Sequence, residues 1–171
     1  MSQSVKHFLP LMLGVMTVFF MAIFVKIVRS PLVIYNSTDS IPIGFYWVSQ
    51  VDSLAKGDIA VFRPTEEAKN IILARGWLPE NGYLLKPIVA LKGDLVCAEN
   101  SEIYVNGEAF GKVNLTDSKG RSLPRYSDCE NLKSEQAFVA IKDKENSFDS
   151  RYFGALNISQ IEGVARPLWM F

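Results

Sequence analysis

The segment from Phe8 to Val25 is uncharged and almost entirely apolar, and it restricts what the start of this chain can form. A helix of this length is at the low end of what spans the roughly 30 Å hydrocarbon core of a bilayer. Ile27-Val28 can lengthen it while Lys26 reaches toward the headgroups. A cleaved secretory signal is the rival interpretation, but its apolar run is usually only about 7–15 residues and a small-residue cleavage site should follow. We predict an uncleaved transmembrane anchor within residues 1–30, behind a short N-terminal stub.

The charges around this segment do not fix its orientation. Lys6 and the amino terminus lie on one side, and Lys26 and Arg29 lie on the other. Neither side has a clear excess of positive charge, so the positive-inside rule does not say which end of the segment is cytoplasmic. Residues 31–171 contain no low-complexity linker and no internal repeat, so we predict that they form one domain.

The pattern of this domain is mostly that of β-strands. Asn106-Gly107 is a hairpin-type turn. One helix is predicted to start at Pro64-Thr65 and to stop at Arg75-Gly76. Runs rich in β-branched and aromatic residues predict strands at Leu32–Tyr35, Gly44–Val48, Ile59–Phe62, Tyr83–Leu91, Asp94–Cys97, Glu102–Val105, Phe138–Ile141 and Ile161–Arg166. The predicted fold class is mainly β, with one inserted short helix.

Composition excludes several functional classes. The 18 Lys and Arg residues balance the 18 Asp and Glu residues, whereas a nucleic-acid-binding domain usually carries a net basic patch. The single histidine, His7, precedes the predicted anchor, so Ser-His-Asp and Cys-His machinery is excluded from the domain. A zinc site usually needs several His and Cys residues together. We expect no metal, no cofactor and no nucleic-acid partner.

The two cysteines leave two interpretations open. Cys97 ends a strand-like run, and Cys129 lies in a polar stretch far along the chain. An even number of cysteines is compatible with a disulfide on the oxidising side of a membrane. Two unrelated buried thiols are the alternative.

Three segments carry candidate chemistry, although each has an ordinary structural interpretation. In Asn36–Trp47, Ser40 precedes Ile41-Pro42 and is predicted to lie in a tight bend. In Gly82–Asp94, Lys86 interrupts an apolar run, but strand alternation also allows it to point to solvent. Ser147–Gly154 combines hydroxyls, a carboxylate and an arginine, which a simple turn also explains.

Together and in this order, the segments resemble the type I signal peptidase family of the Ser-Lys class, and more narrowly the TraF-type conjugative transfer peptidases. The resemblance covers nearly the whole chain. The chain departs from the housekeeping enzymes in having a small domain and one anchor. It also has Lys142–Asn146 at the place where those enzymes often have Gly-Asp-Asn-Arg. The matching motifs are Ser-Ile-Pro-x-Gly at Ser40–Gly44, Gly57–Phe62, Leu-Leu-Lys-Pro at Leu84–Pro87, Gly93-Asp94, Val105–Gly107 and Ser147–Gly154.

The resemblance implies a role for each candidate residue. Ser40 would be the nucleophile and Lys86 the general base, which must be neutral near pH 7 and therefore desolvated, since lysine ordinarily titrates at about 10.4. The remaining implied roles are the oxyanion donor Thr38, the orienting hydroxyl of Ser147, and the pair Asp149 and Arg151. Separately from the resemblance, an extended peptide can bind by strand addition, and the candidate substrate-binding walls are then the stretch before Ser40 and the residues Tyr83, Leu84 and Leu85 before Lys86. Whether Asp149 is scaffold or participant stays open.

The resemblance also implies a location and a substrate. The protein would be a single-pass protein of the bacterial inner membrane, with its N-terminal stub in the cytoplasm and its catalytic domain in the periplasm. Beside the lipid bilayer, it would process a pilin precursor or a signal-peptide-bearing protein, by cutting it or by cutting and cyclising it. Exposed aromatic residues such as Trp47, Trp77 and those of Leu168–Phe171 would either enter the membrane interface or pack in the core. The rival functions are a non-catalytic assembly factor of a conjugative pilus or type IV secretion apparatus, and a self-cleaving repressor, which the anchor disfavours.

Overall fold

The computed structural model describes residues 10–21, 31–142 and 144–171. The chain divides into two compact units, Met1–Pro31 and Leu32–Phe171. In the first unit, residues 10–21 are helical (α1) and exposed. The predicted stub and both ends of the predicted anchor lie outside the described residues. Within the described ranges, no helix has the length and apolar character needed to cross a membrane.

The described residues of the second unit form antiparallel strands and short helices. The two longer helical elements are α2 (Glu66–Arg75) and α3 (Ser150–Phe153), and a 3-10 turn covers Ile158–Gln160. The strands are β1 (Val33–Asn36), β2 (Gly44–Ser49), β3 (Ile59–Phe62), β4 (Leu84–Ala90), β5 (Leu95–Glu99), β6 (Glu102–Val105), β7 (Glu108–Lys112), β8 (Cys129–Asn131), β9 (Gln136–Val139), β10 (Leu156–Asn157) and β11 (Ile161–Met170).

These strands make two sheets. The larger has the order β1-β2-β11-β3-β4-β9-β10, and the smaller has the order β7-β6-β5-β8. β4 therefore lies in the interior of the larger sheet, with Ala60 of β3 directly opposite Lys86. The prediction of a mainly β domain is confirmed.

The inserted helix ends where its sequence indicates. The Thr65 hydroxyl accepts a hydrogen bond from the backbone N–H of Ala68, as an N-cap residue does. Glu66 and Glu67 lie in the first turn, where the helix dipole favours negative charge. Gly76 closes the helix with φ 67°, in the left-handed region that glycine adopts without strain. The helix prediction is confirmed.

The sequence patterns missed several elements. β8 reads Cys-Glu-Asn, which has weak strand propensity, but it pairs with β5 along its length. α3 is a single turn, so the expectation of only one short helix in this domain is wrong. β11 continues to Met170 past Pro167, and its register shifts there as a bulge allows.

A disulfide crosses the smaller sheet. Cys97 of β5 and Cys129 of β8 are directly opposite each other, and their sulfur atoms are bonded. The bond therefore fixes the short, polar β8 to its neighbour and closes a loop with a sequence separation of 32.

We expect loss of this disulfide to destabilise the domain. In the chain-entropy picture, a loop of this size contributes about 3–4 kcal/mol to the free energy of unfolding. Replacing both cysteines by serine should lower that free energy by this amount, measured by thermal denaturation beside the wild-type protein with and without reductant. If the reductant lowers the wild-type melting temperature no more than that of the double variant, the bond does not form in solution.

Candidate active site

A groove of about 280 Å³ brings together the two main candidate residues, Ser40 and Lys86. Its lining joins three stretches that are far apart in sequence. They are the β1 end with the following turn (Ile34–Ser40), the start of β4 with Tyr83 before it, and Asn146–Phe148; Ile72, Trp77 and Leu78 complete the wall. Of the predicted site residues, Thr38, Ser40, Tyr83, Leu84, Leu85, Lys86 and Ser147 all lie here.

Lys86 is buried rather than pointing to solvent. Its side chain lies on an interior strand, where only 4% of the residue is exposed. This desolvation lowers the pKa of Lys86 to about 8 from an ordinary 10.5. Smaller electrostatic effects act in both directions: Asp149 and Asp39 raise the pKa, while Arg151 and Lys144 lower it. With a pKa of about 8, about a tenth of Lys86 is neutral at pH 7 and more at higher pH, and the neutral form is the one that can act as a general base.

Ser147 fixes the direction of the Lys86 side chain. Lys86 Nζ donates a hydrogen bond of 2.9 Å to Ser147 Oγ, and both residues are buried. Arg151 in turn holds the backbone of Ser147, because Arg151 Nη2 donates a hydrogen bond of 3.2 Å to the Ser147 carbonyl. The hydroxyl thus occupies the position expected of an orienting group.

Asp149 and Arg151 form a fully buried ion pair behind the groove. Arg151 Nε lies 2.8 Å from Asp149 Oδ1, and Nη2 lies 2.9 Å from Oδ2, which is a bidentate arrangement. Asp149 also accepts from the backbone N–H groups of Ile141 and Arg151. Neither residue lines the groove. This placement favours a scaffold role for Asp149 over direct participation.

The turn that carries Ser40 is organised by Asn36, a residue that the sequence patterns did not single out. The buried side-chain amide of Asn36 donates to the carbonyls of Thr38, Ile41 and Pro42 at 2.8–3.1 Å. Its position at the end of β1 places the amide inside the turn. The only signal was an asparagine just before a Ser-Ile-Pro sequence, and asparagine in turns is too common to be diagnostic.

Among the described hydrogen bonds, the Ser40 hydroxyl contacts Thr38, and none joins it to Lys86. Thr38 Oγ1 donates to Asn36 Oδ1 at 2.8 Å, and Thr38 Oγ1 lies 3.1 Å from Ser40 Oγ. A hydroxyl has one proton, so Ser40 is the donor in the second contact. The Ser40 hydroxyl proton is therefore directed at Thr38, and the Thr38 proton is directed at Asn36.

Gly44 explains the last position of the Ser-Ile-Pro-x-Gly motif. A Cβ atom at residue 44 would clash with the carbonyl oxygen of Trp169 on β11. Glycine there lets β2 and β11 pair up to Met170 and so fixes the end of the turn that carries Ser40.

The sequence matches the family described as signal peptidase, peptidase S26, over residues 5–170. The chain belongs to this family, and membership supports a serine peptidase. The resemblance inferred from the motifs is therefore confirmed.

The more specific relatives are plasmid transfer proteins. One "Plasmid transfer protein TraF" of Escherichia coli is 38% identical over 143 residues, covering 78% of this chain and 80% of that protein. "Signal peptidase I V" of Bacillus subtilis is 30% identical over 105 residues, covering 56% and 61%. A crystal structure of a signal peptidase I from Enterococcus faecalis aligns with a TM-score of 0.37 and 21% identity, over 67% of this chain and 98% of that one.

Proposed function

We propose that this protein is a membrane-anchored serine endopeptidase in which Ser40 is the nucleophile and Lys86 the general base. The observation that carries the proposal is the environment of Lys86. The amine is buried, its pKa is lowered to about 8, and Ser147 orients it within the groove that also contains Ser40. Burying a lysine without a carboxylate partner is costly, which fits a base better than a structural residue.

The proposed reaction begins with proton transfer from Ser40 Oγ to Lys86 Nζ. Oγ then attacks the carbonyl carbon of the substrate, and the backbone N–H of Ser40 and the Thr38 hydroxyl stabilise the oxyanion. Lys86 returns the proton to the leaving amine as the C–N bond breaks. Water, or a second amine, then attacks the acyl-enzyme and releases a cut or a cyclised product.

The groove suits an extended peptide. β3 pairs with one edge of Leu84–Lys86, and among the described strands none pairs with the other edge of these three residues. An extended substrate can add to that free edge by main-chain hydrogen bonds. Tyr83, Leu84 and Leu85 then lie beside its side chains, as predicted for the substrate-binding residues.

The relatives support a substrate class. Proteins named for plasmid or conjugal transfer match most of this chain, so we propose that the substrate is a conjugative pilin precursor or another exported protein. Both hydrolysis and cyclisation are compatible with the same acyl-enzyme.

The proposed location is the inner membrane, with the catalytic domain in the periplasm. The anchor rests on the uncharged Phe8–Val25 sequence, and β1 follows it within a few residues. The Cys97–Cys129 disulfide is consistent with an oxidising compartment. Large apolar side chains on neighbouring strands are also exposed, which suits contact with lipid; they include Tyr35, Phe45, Trp47, Leu168, Trp169 and Phe171.

The proposal predicts how a co-expressed pilin precursor will be processed. With the wild-type protein, we expect the intact mass of the pilin to fall by the removed segment, and a cyclised product to be lighter by one further water. Ser40→Ala and Lys86→Ala should leave the precursor uncut, while Lys92→Ala, which changes an exposed lysine outside the groove, should behave as wild type. Normal maturation with Ser40→Ala would contradict the proposal and favour a non-catalytic assembly factor.

A further inference from the structure

Asp39 and Lys144 form an ion pair that connects the two loops of the groove. Asp39 Oδ2 lies 3.1 Å from Lys144 Nζ, and the side chains are 82% and 36% exposed. Asp39 directly precedes the nucleophile, and Lys144 lies three residues before the hydroxyl that orients the base. In the described part of the chain, no other hydrogen bond or ion pair joins residues 37–42 to residues 144–148.

The Lys144 end of this pair is attached to the buried scaffold. Arg151 Nη2 donates to the Lys144 carbonyl at 2.8 Å and to the Ser147 carbonyl at 3.2 Å. The Ser147 backbone N–H also donates to the Lys144 carbonyl. One buried guanidinium therefore positions both the residue that orients Lys86 and the residue that contacts the nucleophile-bearing turn.

In the described residues, the turn that carries Asp39 is also held at its end by the chain after β11, where the Phe171 backbone N–H donates to the Ile43 carbonyl, and from the side of β1 and β2. There the Asn36 amide binds the turn carbonyls, and the Tyr46 hydroxyl donates to Pro42 at 2.7 Å. Those contacts fix the shape of the turn, but they do not fix its position relative to Lys86. The Asp39–Lys144 ion pair does so, because it connects the turn to the loop that carries Ser147.

We propose that Asp39 and Lys144 are positioning residues, whose ion pair holds the turn carrying Ser40 in register with the Lys86–Ser147 pair. The proposal rests on the proposed peptidase function. Exposed ion pairs contribute little to stability, so removing this one should leave the protein folded while disturbing the alignment of the nucleophile with the base.

The charges of the pair act on the base in opposite directions. Asp39 raises the pKa of Lys86 and Lys144 lowers it, alongside the larger effects of Asp149, which raises it, and Arg151, which lowers it. Asp39→Asn should therefore lower the pKa of Lys86, and Lys144→Met should raise it. These shifts report the two charges themselves, so the positioning role is judged from acylation rates compared at equal fractions of neutral Lys86.

The test measures acylation of Ser40 by a p-nitrophenyl ester in the full-length protein. Ser40 Oγ bonds to the acyl carbon, the bond to nitrophenolate breaks, and the Ser40 proton passes to Lys86. Nitrophenolate release gives the rate, and the intact mass of the protein, with Ser40→Ala as blank, shows the site. The pKa of Lys86 is followed separately by NMR of ¹³C-labelled lysine.

We expect Asp39→Asn and Lys144→Met each to slow acylation by about tenfold, because small misalignments of reacting groups are costly. The exchanged pair, Asp39→Lys with Lys144→Asp, restores an ion pair and should recover most of the rate. Lys56→Met breaks a comparable pair with Asp94 outside the groove and should change neither the rate nor the pKa.

Each outcome decides a separate point. Wild-type rates in both single variants, or no recovery in the exchanged pair, would overturn the positioning role while leaving the peptidase intact. If the wild-type protein itself does not acylate at Ser40, the peptidase proposal fails and the positioning role fails with it, even if the Lys86 pKa moves as expected.

Discussion

Lys86→Met is expected to abolish peptidase activity while making the domain more stable. Removing one member of a catalytic unit leaves only the background from binding and oxyanion stabilisation, so acylation of Ser40 should fall by about 10⁴-fold. The wild-type rate should rise with pH through about 8, where the base loses its proton. Stopped-flow acylation of both proteins across this range checks the activity.

The gain in stability follows from the direction of the pKa change. Unfolded Lys86 binds a proton more tightly than the folded residue does, so its burial weakens folding most below pH 8, and this effect disappears as pH rises to 10.5. A pKa lowered from 10.5 to about 8 corresponds to about 3 kcal/mol at about 1.36 kcal/mol per pH unit. Part of that gain is offset because Ser147 loses its hydrogen-bond donor.

Urea denaturation at two pH values provides the measurement. Lys86→Met should be more stable than wild type by about 1–3 kcal/mol at pH 7, and the difference should shrink toward pH 10.5. Lys92→Met, at an exposed position, serves as the control and should show no such dependence. A destabilised Lys86→Met protein at pH 7 would show that Lys86 contributes to folding instead of opposing it.

Asp149→Asn is expected to cost about 3–5 kcal/mol of unfolding free energy, because it leaves the Arg151 guanidinium buried without its carboxylate. Arg151 is 1% exposed and Asp149 is fully buried, so water cannot replace the lost contacts. Thermal denaturation measures the loss. The protein that remains folded should still acylate, with the pH dependence moved to lower pH, since Asp149 raises the pKa of Lys86.

Asp117→Asn is the matched control for this variant. The Asp117 side chain is 4% exposed and pairs with Arg75 and Arg121, but Asp117 is not among the charges that act on Lys86. It should therefore destabilise the domain without moving the pH dependence. If Asp149→Asn instead abolishes acylation at unchanged stability, Asp149 takes part in the chemistry and the scaffold role is wrong.

The β-strands that the sequence predicted are those whose own residues favour extended structure. β2, β3 and β4 are rich in β-branched, aromatic or leucine residues and lie close to their predicted bounds. β8 and α3 lack such patterns. Pairing with β5 stabilises β8, and the buried Asp149–Arg151 pair stabilises α3. Contacts between distant segments cannot be read from a local window.

The sequence alone determined the family, the mainly β fold class and the identity of the candidate residues, because these depend on local patterns and motif order. Only the tertiary structure decided that Lys86 is buried, since an alternating strand pattern does not say which face is covered. It also decided that Ser40 rests against Thr38, that Asn36 organises the turn and that Asp39 meets Lys144. Each of these depends on side chains brought together across the sheet or folded back within a turn, where hydrogen bonding and desolvation act.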